Sequence, residues 1–113
     1  VPRYCLALDL IDDTALIAEY EQRHEKIWPE IAASIRDSGI TNLEIYRIGT
    51  RLFMVMETDA QFSFEKKAAL DAANPPVQAW ETAMWRYQKA LSMAKPGEKW
   101  LLMTKIFDLK QQE

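Results

Sequence analysis

At 113 residues, with 49% apolar and 27% charged side chains, the chain is sized for one soluble globular domain with a single core. Its net charge of −3 argues against a nucleic-acid partner, because phosphate binding draws its affinity from clustered Lys and Arg. No run approaches the roughly twenty apolar residues that span a bilayer, and Val1-Pro2-Arg3-Tyr4 lacks the apolar centre of a signal peptide, so no membrane partner and a cytoplasmic location are expected.

Arg3 to Leu10 alternates as a strand, with Tyr4, Leu6, Leu8 and Leu10 on one face. Asp12-Asp13-Thr14 then supplies an N-cap for a helix whose inward stripe is Leu16, Tyr20, His24 and Ile27, continued by Ile31 and Ile35. Pro29 interrupts that stripe. It cannot donate to the carbonyl of Glu25 and pushes Trp28 out of helical angles, which predicts a break at Lys26–Trp28 and a second helical piece ending at Gly39. A hairpin follows, Thr41 to Ile48 and Arg51 to Thr58, around a Gly49-Thr50 turn whose leading glycine suits type II′. Asp59 is expected to open a helix that runs to about Ala73. Asn74 and Pro75 then cap and start another, with Val77, Trp80, Met84, Tyr87 and Leu91 as its stripe. After a Pro96-Gly97 loop, Lys99 to Phe107 reads as the last strand, with Trp100, Leu102, Thr104 and Ile106 on one face.

The order β-α-β-β-α(α)-β is the split βαβ or ferredoxin-like arrangement, α+β, an antiparallel sheet with helices on one face. The second faces of the strands also carry apolar residues: Cys5 and Ala7, Leu43 and Ile45, Phe53 and Val55, and Leu101, Met103 and Phe107. A second copy of the chain is the simplest cover for such a face, so a homodimer is expected.

The lone cysteine, Cys5, excludes an internal disulfide and a cysteine metal cluster, and inside an apolar run it reads as a buried structural thiol. There is no Gly-rich phosphate loop, no Gly-x-Ser-x-Gly and no His-Glu-x-x-His, so no metal and no cofactor are expected. Proton transfer or plain binding remains. A lone histidine on an inward stripe is most often a packed core residue. Against that, Tyr20 lies one turn before His24 on the same face, and the helix breaks just beyond it. Imidazole titrates near neutral pH and can give or take a proton there. Trp80 and Tyr46 can stack on a sugar ring or simply fill the core and the sheet. Glu44, Glu57 and Glu81 are candidate hydroxyl acceptors or ordinary solvated side chains.

The run Glu19-Tyr20-Glu21-Gln22-Arg23-His24-Glu25-Lys26-Ile27-Trp28-Pro29-Glu30 resembles the Tyr-x-x-x-His-x-x-x-Trp-Pro-Glu signature of the L-rhamnose mutarotase family. The hairpin Glu44-Ile45-Tyr46-Arg47 and the segment Val77-Gln78-Ala79-Trp80 fall where that family has its second tyrosine and its tryptophan, and the likeness extends from Tyr4 to Leu109. The resemblance implies a single mutarotase domain over residues 1–113, built as a dimeric α+β barrel. It also implies an isomerase of carbohydrate metabolism that needs no cofactor and interconverts the α and β anomers of a 6-deoxyhexose. It assigns His24 as the proton donor and Tyr20, Tyr46 and Trp80 as sugar-contacting residues, and leaves the base among a tyrosine, a carboxylate and water. Rhamnose enzymes of the family often carry two adjacent tryptophans where this chain has Trp80-Glu81. The stretches Glu44–Arg51 and Trp80–Arg86 look more like members assigned to L-fucose, so L-fucose is expected over L-rhamnose, with Glu81 as a further substrate contact.

Two other readings fit the fold alone: a non-catalytic ligand-binding or regulatory module, and a monooxygenase of the dimeric α+β barrel type, haem- or quinol-directed. A haem protein with His24 as ligand would purify coloured, and a sensor would bind sugar without changing its anomer ratio.

Overall fold

A computed structural model describes all residues, 1–113. The first strand, β1, spans Arg3–Leu10 and buries Leu6, Leu8 and Leu10, with Leu8 fully inaccessible. Asp13 caps the helix that follows, α1 (Thr14–Glu25): the Leu16 N–H donates to its carboxylate at 3.0 Å, satisfying one of the otherwise unpaired N-terminal donors. The break falls where Pro29 demands it. α2 (Pro29–Asp37) starts on the proline itself, at the one helical position that needs no N–H. It ends ahead of Gly39, whose φ of 99° belongs to the left-handed region. A side chain there is doubly disfavoured, because an added Cβ would lie 2.8 Å from Asp59 Oδ1.

The hairpin pairs β2 (Ile40–Ile48) with β3 (Arg51–Thr58), and β3 pairs antiparallel with β1 from Arg3↔Glu57 to Asp9↔Arg51. Gly49 has φ 57° while Thr50 stays at negative φ, the backbone signature of a II′ rather than a I′ turn. Two helices follow, α3 (Phe64–Ala72) and α4 (Pro75–Trp85), and then two short strands, β4 (Gln88–Lys89) and β5 (Leu101–Leu102), both on the outer edge of β1. The sheet order β2-β3-β1-β4, with β5 beside β1, is that of a ferredoxin-like fold. The main core gathers Leu10 and Leu52 from the sheet, Tyr20 and Ile31 from the first two helices, Val77, Trp80 and Met84 from α4, and Tyr87. No helix is long and apolar enough to cross a membrane.

The expected barrel is corrected by this topology. A barrel closes by pairing its outermost strands. Here β2 bounds one edge and the two-residue strands β4 and β5 the other, with nothing joining them, so the sheet is open. Four further expectations are revised. The helix predicted from Asp59 begins at Phe64 with Ser63 as its cap (Lys66 N–H to Ser63 Oγ, 3.0 Å), because the Asp59 carboxylate is taken by the Gln61 N–H in a tight turn. The last helix stops at Trp85. Tyr87 and Leu91 are still buried, but Tyr87 lies in the turn that closes the helix, its N–H donating to Met84 O at 2.9 Å and its carbonyl accepting from the Ile11 N–H at 2.8 Å, and Leu91 lies beyond β4. The last strand has two residues, not nine. Past Met103, whose N–H donates to Cys5 O at 2.7 Å, the facing strand runs out at Arg3 and then at Pro2, which has no N–H to give. Finally, Leu43 and Ile45 point to the helix side, where both pack on the core, and Glu44, Tyr46 and Ile48 take the open face.

Candidate active site

A cleft of about 440 Å³ opens between α1 and β2, with Tyr20 and His24 as its inner wall and Glu21, Arg47 and Tyr46 around its mouth. Periodicity explains the inner wall: residues 20 and 24 stand one above the other on the buried side of α1. Their rings stack at 4.2 Å between centroids, inclined by 34°. The mouth is bridged by an ion pair from Arg47 Nε to Glu21, with a second Arg47 nitrogen donating to Gly49 O at 2.8 Å.

The His24 imidazole is fixed by its own helix. Nδ1 lies 2.8 Å from the carbonyl oxygen of Tyr20, and a carbonyl only accepts, so Nδ1 carries the proton and Nε2 keeps a free lone pair. Burial lowers the pKa of His24 below 6.5, against a smaller opposing effect of that hydrogen bond, so the resting side chain is the neutral base. Tyr20 is only 3% exposed, and burial pushes its phenol up to about 12, so it keeps its proton throughout the physiological range. The Gln88 amide donates to its oxygen at 3.4 Å.

Trp80, 8% exposed, reaches this group from α4. Its ring meets His24 edge-on at 5.6 Å and Trp28 edge-on at 5.0 Å. Glu81 is not a free surface carboxylate. Lys99, whose side chain is 10% exposed, grips it twice, through Oε2 at 2.8 Å and its main-chain oxygen at 2.9 Å, while lying 4.7 Å above the Trp85 ring. The negative charge of Glu81 is near enough to raise the Tyr20 phenol further, which ties α4 electrostatically to the cleft.

Of the residues singled out from the sequence, Tyr20 and His24 line the cleft together; Trp80 lies behind them against the His24 ring, and neither it nor Glu81, whose side chain is 45% exposed, is among the cleft's lining. Tyr46 stands apart. It borders the cleft, but it pairs with Phe53 on the open face of the sheet, is 56% exposed, and donates its hydroxyl to Glu44 at 3.2 Å. The Glu21–Arg47 bridge, Gln88 and Lys99 were not legible in advance. Glu21 and Arg47 lie 26 positions apart, and Lys99 and Glu81 18, and no local pattern links them.

One imidazole with a fixed tautomer beside one phenol that stays protonated suits proton transfer at a hydroxylated substrate. The family model for L-rhamnose mutarotase matches residues 3–109, and the chain belongs to that family, as a sugar mutarotase. An L-fucose mutarotase of Xanthomonas campestris is 50% identical over 111 residues, covering 96% of this chain and 89% of that protein. Among solved structures, an L-rhamnose mutarotase from Formosa agariphila superposes with a TM-score of 0.71 at 18% identity, covering 96% of this chain and 99% of that one. A dimeric ferredoxin-like protein from an uncultured marine organism superposes at 0.52 with 11% identity, over 94% of this chain and 90% of that one. At such identities both structures speak to the fold alone.

Proposed function

We propose that the protein interconverts the α and β anomers of L-fucose, with His24 moving the proton and Tyr20, Trp80 and Glu81 holding the sugar. The observation that carries this reading is the fixed imidazole, with Nδ1–H committed to the Tyr20 carbonyl and Nε2 left uncommitted at the cleft. The half-identical fucose enzyme supports the choice of sugar. Opening a pyranose moves one proton from the anomeric hydroxyl to the ring oxygen as the C1–O bond breaks and the carbonyl forms. No electrons leave the substrate. Rotation about C1–C2 and closure in reverse give the other anomer.

One nitrogen closes that balance. Neutral Nε2 takes the hydroxyl proton, and the resulting imidazolium, disfavoured by its burial, returns it to the ring oxygen. His24 thus serves as base first and acid second. The Tyr20 phenol donates a hydrogen bond to whichever oxygen gathers charge. Trp80 offers apolar area to the C–H face of the ring, and Glu81, held by Lys99, accepts a sugar hydroxyl. Tyr46 bounds the rim. Positioned acid–base groups contribute about 10²–10⁴-fold, enough for a reaction that proceeds unaided in water, and the scheme routes no step through a metal or cofactor.

A homodimer belongs to the same reading. The open face carries Phe53, Val55, Leu101 and Met103, and a second copy covering it would bury at least about 1,200 Å² in total. Saturation-transfer NMR on L-fucose and L-rhamnose tests the activity. Faster exchange of fucose is expected; exchange at the buffer rate for both sugars, or faster exchange of rhamnose, would contradict the proposal.

A further inference from the structure

Gln88 is the one buried side chain with a polar atom left unpaired. The residue is 6% exposed, and its Oε1 has no hydrogen-bond partner. It sits on β4 opposite Leu10, on the helix side of the sheet, and its Nε2 approaches the Tyr20 hydroxyl at 3.4 Å. A buried, unpaired carbonyl lowers stability, and an apolar side chain of similar length would remove that cost. Packing alone therefore gives no reason for an amide at this position.

A reason appears at the other end of the amide. Turned the opposite way, it would accept the phenol proton and strand both N–H donors, where it now strands one N–H and the carbonyl. In the orientation present, Nε2 gives a hydrogen to the phenol oxygen, so the phenol's own proton is not used inside the protein. Tyr20 in turn carries the His24 ring against its face and holds Nδ1 through its main-chain carbonyl. A run of contacts thus links β4 to the imidazole: Gln88, then Tyr20, then His24.

We propose that Gln88 is a positioning residue that holds the Tyr20 oxygen as an acceptor, so that the phenol proton is presented to a sugar oxygen in the cleft. The inference rests on the mutarotase reading above. Gln88 does not line the cleft and does not touch substrate; it acts through Tyr20.

Three variants test it: Gln88→Met, Gln88→Glu and Tyr20→Phe, with the Tyr20→Phe/Gln88→Met double. Each is read by saturation-transfer exchange of L-fucose and by thermal midpoint. Q88M is expected to lower exchange by about tenfold to a hundredfold, as loss of positioning does, while its thermal midpoint holds or rises. Q88E, whose carboxylate when ionised only accepts from the phenol, should in that form turn the proton away from the cleft, so its exchange should fall as pH rises and the carboxyl ionises. In the Tyr20→Phe background, Q88M should change nothing further, because the residue it acts through is already gone. A lowered midpoint in Q88M, or an exchange loss in Q88M that adds to that of Tyr20→Phe, would mark Gln88 as structural and overturn the inference. Wild-type exchange with no gain over buffer would overturn the mutarotase reading and this inference with it. Full activity in Q88M and Q88E beside an active wild type would overturn this inference alone.

Discussion

The cleft between α1 and β2 and the groove beside the C-terminal segment differ in chemistry in the opposite sense to their sizes, about 440 Å³ against about 870 Å³. The smaller one has two titratable side chains whose proton positions are set: the Nδ1–H of His24 by a main-chain carbonyl, the phenol of Tyr20 by burial. The larger one is bounded by Cys5, Phe53, Met103 and Phe107, and its one perturbed group is Asp108, a carboxylate held below its ordinary value by hydrogen bonds from Lys105 and the Lys110 N–H. Its outer wall is the segment after β5, where Ile106 is 93% exposed and Phe107 and Leu109 stand out as well. The larger groove mixes apolar residues with Arg3, Lys105, Asp108 and Lys110.

Substitutions in the two regions should separate cleanly. His24→Ala has the largest expected effect: a folded protein whose L-fucose exchange falls by about 10²-fold or more, since the only histidine is gone. Full exchange in a folded mutant would remove the mechanism, and loss of folding would return His24 to the core. Glu81→Trp comes next. It removes the proposed hydroxyl acceptor and leaves the Lys99 ammonium, whose side chain is 10% exposed, without its carboxylate, so fucose exchange should fall while rhamnose exchange holds or improves. The ratio of the two rates is the quantity to measure; an equal loss for both sugars would show damage only. The smallest effect on rate belongs to the groove. Phe107→Ser should leave exchange per protomer within about twofold, a change of about 0.4 kcal/mol in barrier, yet weaken self-association in sedimentation. A wild-type protein that sediments as a monomer would contradict the dimer.

How far the sequence led depended on whether the controlling contacts were local. β1, the Asp13 cap, the break at Pro29 and the II′ hairpin were all legible, because each is decided by residues within a few positions of one another. The meeting of Tyr20 and His24 was legible for the same reason. Errors came where a distant partner decided. The stripe of Tyr87 and Leu91 kept helical spacing, but pairing with Leu10 drew Gln88 into a strand. Lys99 to Phe107 had strand composition throughout, but β1 offered partners to only the first few of these residues. Leu43 and Ile45 could have faced either way on alternation alone, and the core decided. Trp80 was singled out by its aromatic stripe and then by the family pattern, whereas Lys99 and Gln88 carry no local mark. Their contacts exist only once α4, β4 and the loop before β5 are folded against α1.

The account turns on His24 acting as a neutral base first, and the pH dependence of exchange tests that most directly. The ordinary imidazole value of about 6.5 is lowered on folding, mainly by burial. The unfolded chain therefore takes up its proton before the folded one as pH falls. Stability from this group is full above about 6.5 and is lost as pH drops through the folded value. Enzyme-catalysed exchange of L-fucose, measured by saturation transfer from about pH 5 to 8 with the buffer rate subtracted, should be level in the upper part of that range. It should fall only on the acid side, with a midpoint below 6.5. A catalysed rate that instead rises as pH falls through that midpoint would show the imidazolium to be the starting form and contradict the account.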